Sequence, residues 1–541
     1  MLNSIKAPCD EEIMRSAPPC RPARPRGVWV LVATILGSSM AFIDGSVVNI
    51  ALPALQREFQ ASAAEVQWVV EAYALFLSAL ILVGGSLGDR LGRRKVFVAG
   101  TALFALASVW CGLAPSNSML IVARAVQGIG GALLVPGSLA LISNSFASER
   151  RGQAIGTWSG FTSVTSVLGP VLGGWLVQYL SWRWVFFINV PLALIVISVS
   201  LWQVPESRDE QAQGKLDWSG ALLATLGLAG LVYGLIESSA LGLGHPIVVL
   251  ALLVGVLALA AFLFVEAHTA QPIVPLTLFR SRTFSGANLL TFLLYGALSA
   301  ATYFIPFNLI QIQGYPAAAA GAALTPFALT MFLFSRWTGG LVRRFGARLP
   351  LMLGPSITAL GFVLFALPGI GGSYWTTFFP AVIVMSLGMT VTVAPLTTTV
   401  MNAVDQRASG TASGINNAVS RTAGLIAIAV MGIVMVAVFS HSLDQQLALQ
   451  HLPAGIHQAL QAQSSKLAGI ELPQTLNEQT RALLKGTIDR SFVTGFRAIM
   501  LTCAGLALAS AVAAGILVEG KHASSPELAV SSQEESVSSG L

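Results

Sequence analysis

Hydrophobic residues run through this chain in long uninterrupted stretches, separated by short polar breaks. A helical stretch of roughly 20 apolar residues matches the hydrocarbon thickness of a bilayer. Fourteen such spans can be marked. The first six lie near residues 28–50, 66–87, 95–113, 119–143, 154–178 and 184–203. Two more, 218–237 and 246–266, stand between a polar break at 205–215 and another holding Arg280 and Arg282. The last six lie near 284–310, 318–341, 349–369, 375–400, 411–439 and 491–517. The pattern predicts an all-α polytopic membrane protein, and an even count puts both termini on one side.

Composition agrees with that class. The 541 residues are 54% hydrophobic and only 10% charged, where a soluble domain carries about 25% charged residues. The net charge of +6 is scattered through short loops rather than gathered on one face, which excludes a nucleic-acid footprint. Cys9, Cys20, Cys111 and Cys503 have neither metal-ligand spacing nor a disulfide framework, so no metal or cofactor is expected.

The basic residues set the orientation. Alternate loops, beginning with the N-terminal tail, hold Arg24 and Arg26, then Arg90 to Lys95, Arg150 and Arg151, Arg280 and Arg282, and Arg343 and Arg344. The opposite short loops hold little beyond Arg57 and Arg183. Both termini are therefore expected in the cytoplasm, with tails at 1–27 and 518–541. A long outer loop, 440–490, has helical periodicity and offers a docking surface for a periplasmic adaptor protein.

The most distinctive break is residues 85–95, reading G-S-L-G-D-R-L-G-R-R-K. Gly85 and Gly92 let two helix ends turn sharply, and Asp89 stands among Arg90, Arg93, Arg94 and Lys95. A weak repeat sets Gly85, Leu87, Asp89, Arg90, Gly92 and Arg94 against Gly339, Leu341, Arg343, Arg344, Gly346 and Arg348. This order resembles the loop signature between the second and third helices of the major facilitator superfamily. The resemblance implies two six-helix halves, 28–203 and 284–517, joined by a linker at 204–283 with two inserted helices. It also implies that Asp89 holds the end of a neighbouring helix, the eleventh span, when the cytoplasmic side is closed.

Charges within the spans are costly in lipid and persist where they are used or paired. Asp44 falls in the outer half of the first span, and Arg124, on the oppositely directed fourth span, falls at similar depth. Glu71 lies in the outer half of the second span, close enough to the interface for solvation to account for it. Two carboxylates and a permanently charged guanidinium suit proton coupling; a static ion pair that fixes packing is the alternative. In the thirteenth span Asn416, Asn417 and Arg421 enter from the cytoplasmic side. Arg421 disfavours a dicationic substrate and favours an anionic, zwitterionic or neutral amphipath. Trp158, Phe161, Tyr295, Tyr303 and Phe307 are candidates to line an apolar pocket.

Further segments resemble the fourteen-span drug:proton antiporters of that superfamily, the EmrB/QacA type. They are Asp44-Gly45-Ser46-Val47-Val48-Asn49, Arg124-x-x-Gln127-Gly128-x-Gly130 and Gly169-Pro170-x-x-Gly173-Gly174. The last departs from the family pattern at Thr165, where a glycine is expected. Trp182-Arg183-Trp184-x-Phe186-x-x-Asn189-x-Pro191 and Asp217-Trp218-x-Gly220 also match. The resemblance implies roles for Asp44 and Arg124 in coupling or substrate recognition and for Gly169 and Pro170 in antiport. A proton-coupled antiporter exporting small amphipathic molecules is the leading expectation. An exporter of one metabolite, or an importer or sensor of the same fold, is the alternative. A membrane-embedded enzyme fits less well, because the histidines and carboxylates form no catalytic set. No nucleotide-binding signature is present, so ATP does not drive transport directly.

Overall fold

The computed structural model describes residues 26–519 except 147, 209–216, 270–271, 339, 406–408, 451–453 and 474–475. The expected tails, with Cys9 and Cys20, therefore lie almost wholly outside the described residues. The first group of helices is α1 (Arg26–Phe59), α2 (Ala63–Leu91), α3 (Arg93–Gly112), α4 (Asn117–Ser145), α5 (Ser148–Tyr179) and α6 (Trp184–Gln203). Next come α7 (Trp218–Leu241) and α8 (Pro246–His268). The last group is α9 (Arg282–Ile312), a broken α10 (Ala317–Ala322 and Thr325–Thr338), α11 (Arg348–Ala366), α12 (Tyr374–Asn402), α13 (Ser409–Ala448) and α14 (Glu478–Leu517). Thirteen of the described stretches are long and apolar enough to cross a membrane. α5, diluted by Gly, Ser and Thr, is outside that set but packs inside the bundle between α1 and α10.

Local chemistry starts and stops these helices. Ser62 caps α2: its hydroxyl accepts from the Glu65 amide, while the Glu65 carboxylate accepts from the Ser62 amide at 2.8 Å. Asp217 caps α7 by accepting from the Gly220 amide at 2.7 Å, and Asn477 caps α14 by accepting from that of Thr480 at 2.7 Å. Pro306 interrupts the α9 ladder, and the helix relaxes into a π turn at Asn308–Ile312. Gly92 ends α2 with φ +112°, and Gly346 ends the short helix Leu341–Phe345 with φ +77°. Side chains with a Cβ avoid that backbone region. The repeat seen in the sequence is thus one backbone device used twice.

The face where α1 begins and α14 ends is here called the terminal face, and its opposite the distal face. α13 and α14 are each 40 residues long. At 1.5 Å per residue each spans about 60 Å, twice the hydrocarbon thickness. Much of the expected outer loop is therefore helix that continues beyond the membrane. The chain between them holds a short helix, Ala454–Gln461, and a tight turn, Ser464–Gly469. α7 packs on both α2 and α13, and α8 packs on α7, so the inserted pair lies along the seam between the two groups.

Candidate functional site

The densest polar cluster inside the bundle sits in the first group and draws on five of its six helices. Asp44 of α1 is 0% exposed and Arg124 of α4 is 1% exposed. The Arg124 guanidinium donates through Nη1 to Asp44 Oδ2 and to Gln127 Oε1, and through Nε to the Val69 carbonyl of α2 at 2.9 Å. Gln127 Nε2 donates to Asp44 Oδ1 at 2.8 Å, and Asn189 Nδ2 of α6 donates to the same oxygen at 3.2 Å. Both amides also reach Ser108 Oγ of α3. The guanidinium carbon lies 4.3 Å from the centre of the Tyr73 ring. Both Asp44 oxygens accept from donors of the cluster.

The expected contact between Asp44 and Arg124 is therefore made. Glu71 does not join it. It is 0% exposed rather than solvated at the interface, and neither of its oxygens has a hydrogen-bond partner among the described residues. α7 and α13 pack on that helix where the sequence left it open to water. Glu71 stands two residues before Tyr73, so at 100° per residue it points away from the Arg124 cluster and lies within electrostatic reach of Tyr303. Asn49 is half-buried, outside the cluster, with its Oδ1 unpartnered among the described residues.

In the second group, Asn416 donates to Asn288 Oδ1 at 3.1 Å and Thr291 Oγ1 at 2.7 Å, which ties α13 to α9. Asn417 is exposed and donates to its own helix at Ser413. Arg421 is half-buried, forms no hydrogen bond or ion pair among the described residues, and lies within electrostatic reach of Tyr73. Tyr73 is thus in contact with Arg124 of one group and within electrostatic reach of Arg421 of the other. Sequence reasoning missed Tyr73 and Ser108, since single hydroxyls in apolar runs are common and carry no signal. Gln127 and Asn189 stood inside quoted motifs without a stated role.

On the terminal face, Asp89 accepts from Arg93 Nε at 2.8 Å, one turn away. The Arg93 amide donates to the Ser207 carbonyl at 2.8 Å, and Arg94 Nη1 to the Val204 carbonyl at 3.1 Å. The turn thus grips the start of the segment leading to α7, and among the described residues the expected hold of Asp89 on α11 is not made. Arg90 has no ion pair among the described residues, and Gly85 rests near Pro136.

Gly169, Pro170, Gly173 and Gly174 sit where α5 meets two neighbours. Gly169 lies against Ser46 and Gly173 against Val47, both of α1. Gly174 meets the Ala317 carbonyl of α10, and Gly321 of α10 meets the Pro170 carbonyl. Five described hydrogen bonds join the two groups, all at the distal face. Gln56 donates to the Lys466 carbonyl at 3.0 Å and accepts from Gln311 at 2.9 Å. Gln60 donates to Glu471 at 2.7 Å and accepts from Lys466 at 3.3 Å. The Ala318 amide donates to Gln178 at 3.1 Å. At the terminal end of α5, Gly156 and Gly160 face open space. The distal end is closed.

The model of the Major Facilitator Superfamily matches residues 34–428. A protein named Multidrug resistance protein Stp, from Mycobacterium tuberculosis (strain CDC 1551 / Oshkosh), is 34% identical over 427 residues, 77% of each chain. The Tetracenomycin C resistance and export protein of Streptomyces glaucescens is 31% identical over 491 residues, 90% of each chain. Among solved structures, a bacterial homologue of the human lysosomal transporter Spinster superposes with a TM-score of 0.64 at 18% identity, covering 91% of this chain and 98% of that one.

Proposed function

This chain belongs to the major facilitator superfamily, and we propose that it works there as a proton-coupled antiporter that exports amphipathic small molecules across the cell membrane. The observation that carries this reading is the buried Asp44–Arg124 cluster, set beside Tyr73 and, across the seam, Arg421. A carboxylate sealed from water and held by a guanidinium and two amides keeps its charge only while they hold it. A shift of α1 against α4 within the first half can part Asp44 from Arg124, and the carboxyl then takes a proton. Relatives named for drug resistance and export support the direction of transport. The bias of Arg and Lys toward the terminal face supports a cytoplasmic position for both termini. The terminal face then opens to the cytoplasm, and the closed distal face looks outward.

The halves, on this reading, are α1–α6 and α9–α14, with α7 and α8 inserted between them. Arg421 and Asn417 line the path from the cytoplasm, while Asn416 holds α13 to α9. Cells expressing the chain are expected to gain resistance to several antibiotics over an empty vector, and a protonophore should abolish the gain. Asp44→Asn should lose it at equal abundance in the membrane. Resistance unchanged by both treatments would remove protons and Asp44 from the mechanism.

A further inference from the structure

Two carboxylates stand at the foot of the inserted hairpin, and transport through Asp44 uses neither. α7 starts at the terminal face and α8 returns to it, so Asp217, which caps α7, lies beside Glu266 in the last turn of α8. Gly220 marks where they meet. A side chain begun at Gly220 would lie 2.6 Å from Asp217 Oδ2 and 3.0 Å from Glu266 Oε1. The bare Cα of Gly220 thus leaves a niche into which each carboxylate turns one oxygen.

The other two oxygens are committed. Asp217 Oδ1 accepts from the Gly220 amide and from Ser219 Oγ, both at 2.7 Å. Glu266 Oε2 accepts from the Val274 amide at 3.1 Å. Asp217 Oδ2 and Glu266 Oε1 are buried with no hydrogen-bond partner among the described residues, and Glu266 as a whole is 2% exposed. Asp217 is the charged side chain that acts on Glu266. Asp89 and Arg90 of α2, Arg421 of α13, and Arg280 and Arg282 after α8 do not. His268 is exposed and turns back to the Phe264 carbonyl at 2.8 Å. Lys215 lies outside the described residues.

Two buried carboxylate oxygens turned into one niche repel each other when both groups are ionised. One proton between them replaces the repulsion with a hydrogen bond from carboxyl to carboxylate. A metal ion fits the niche less well. Calcium gathers about 6–8 oxygens and magnesium keeps several waters, whereas two oxygens converge here.

We propose that Asp217 and Glu266 share one proton, forming a proton-binding site at the terminal face that is separate from Asp44 and clasps the two ends of the inserted hairpin. The clasp joins the two linkers. On one side the turn at Arg93 and Arg94 holds the Ser207 and Val204 carbonyls ahead of α7. On the other, Glu266 holds the Val274 amide ahead of α9. With the proton in place, the chain leaving the first group and the chain entering the second are fastened together. Without it, two charges repel across Gly220 and the foot of the hairpin loosens. The folded pair keeps a proton that two separate carboxyls of the unfolded chain give up, so its contribution to stability is present in acid and lost as pH rises.

Thermal unfolding of the purified full-length protein in detergent, from mildly acid to mildly alkaline pH, tests the site. Other groups titrate in that range, so the readout is the difference between variants. Glu266→Gln keeps the shape and sets a permanent N–H donor where the shared proton lies. Its Tm should match the wild type in acid and exceed it by several degrees in alkali. Asp217→Asn, which retains the cap, should do the same, a check independent of how well the Gln variant folds. The infrared difference between wild type and Glu266→Gln at neutral pH should contain the C=O stretch of a protonated carboxyl. Lys215→Met should leave the pH dependence of the wild type unchanged. A Tm difference that does not vary with pH in either neutral variant, or a difference spectrum without the protonated band, would overturn the proposal. Loss of the pH dependence in Lys215→Met would assign the countercharge to Lys215 and exclude the shared proton. Calcium or sodium that raises the Tm of the wild type in alkali, but not that of Glu266→Gln, would put a cation in the niche and exclude it too. None of these outcomes depends on whether Asp44 carries protons.

Discussion

Asp44 and Glu71 are both carboxyl groups with no exposed surface, and the difference between them is entirely in their neighbours. Asp44 was legible because a carboxylate in an apolar run stands out, and because Arg124 on an antiparallel helix falls at the same depth. Glu71 was misjudged because rise per residue gives depth and says nothing of cover. Among the helices packed on α2 are α7 and α13, both far along the chain. Ser108 and Tyr73 gave no warning at all. The cluster makes an asymmetric prediction about stability. Arg124→Ala leaves Asp44 either a buried unpaired charge or obliged to take a proton, which costs about 3–5 kcal/mol. Asp44→Asn keeps an oxygen for Arg124, which retains Gln127 and the Val69 carbonyl. Thermal unfolding in detergent should show a much larger fall in Tm for Arg124→Ala, and equal falls would mean that the pair is not a buried charge pair.

At the scale of elements, the joint between α5 and α10 is where small residues matter most. The sequence showed Gly-Pro-x-x-Gly-Gly and allowed that any bundle needs kinks; the partner on α10 could not be read from it. Gly174 lies so close to the Ala317 carbonyl and the Ala318 backbone that no side chain fits between them. Gly174→Leu should therefore keep the distal end from closing. Transport should fall at least tenfold in protein still present in the membrane, and a cysteine placed at Gln178 should label faster from the distal side. Normal transport with unchanged labelling would show that this contact is not part of the closed state. The outer loop was legible only in part. Its periodicity was real, but a helix that outruns the bilayer and a separate loop helix share one pattern, and only the unbroken ladders of α13 and α14 tell them apart.

For the whole molecule, the helical class and thirteen of the fourteen expected spans followed from apolar run length, because the bilayer imposes it; α5 is too dilute in apolar residues to meet that measure. The conformation did not, since the same loops serve every state of a moving protein. Asp89 shows this: its place in the turn was readable, but its grip on Arg93 rather than α11 belongs to the state in hand. Orientation has its own check. Green fluorescent protein fused to the C-terminus should fluoresce, and alkaline phosphatase fused there should stay inactive; the reverse would turn the transporter over. The central claim is that one moving bundle exchanges protons for a drug through Asp44. The most direct measurement is pH change inside proteoliposomes when substrate is added against a proton gradient. The wild type should move protons in response to substrate, with Asp44→Asn silent although it binds and inserts. Substrate-driven proton movement that survives in Asp44→Asn would contradict the account.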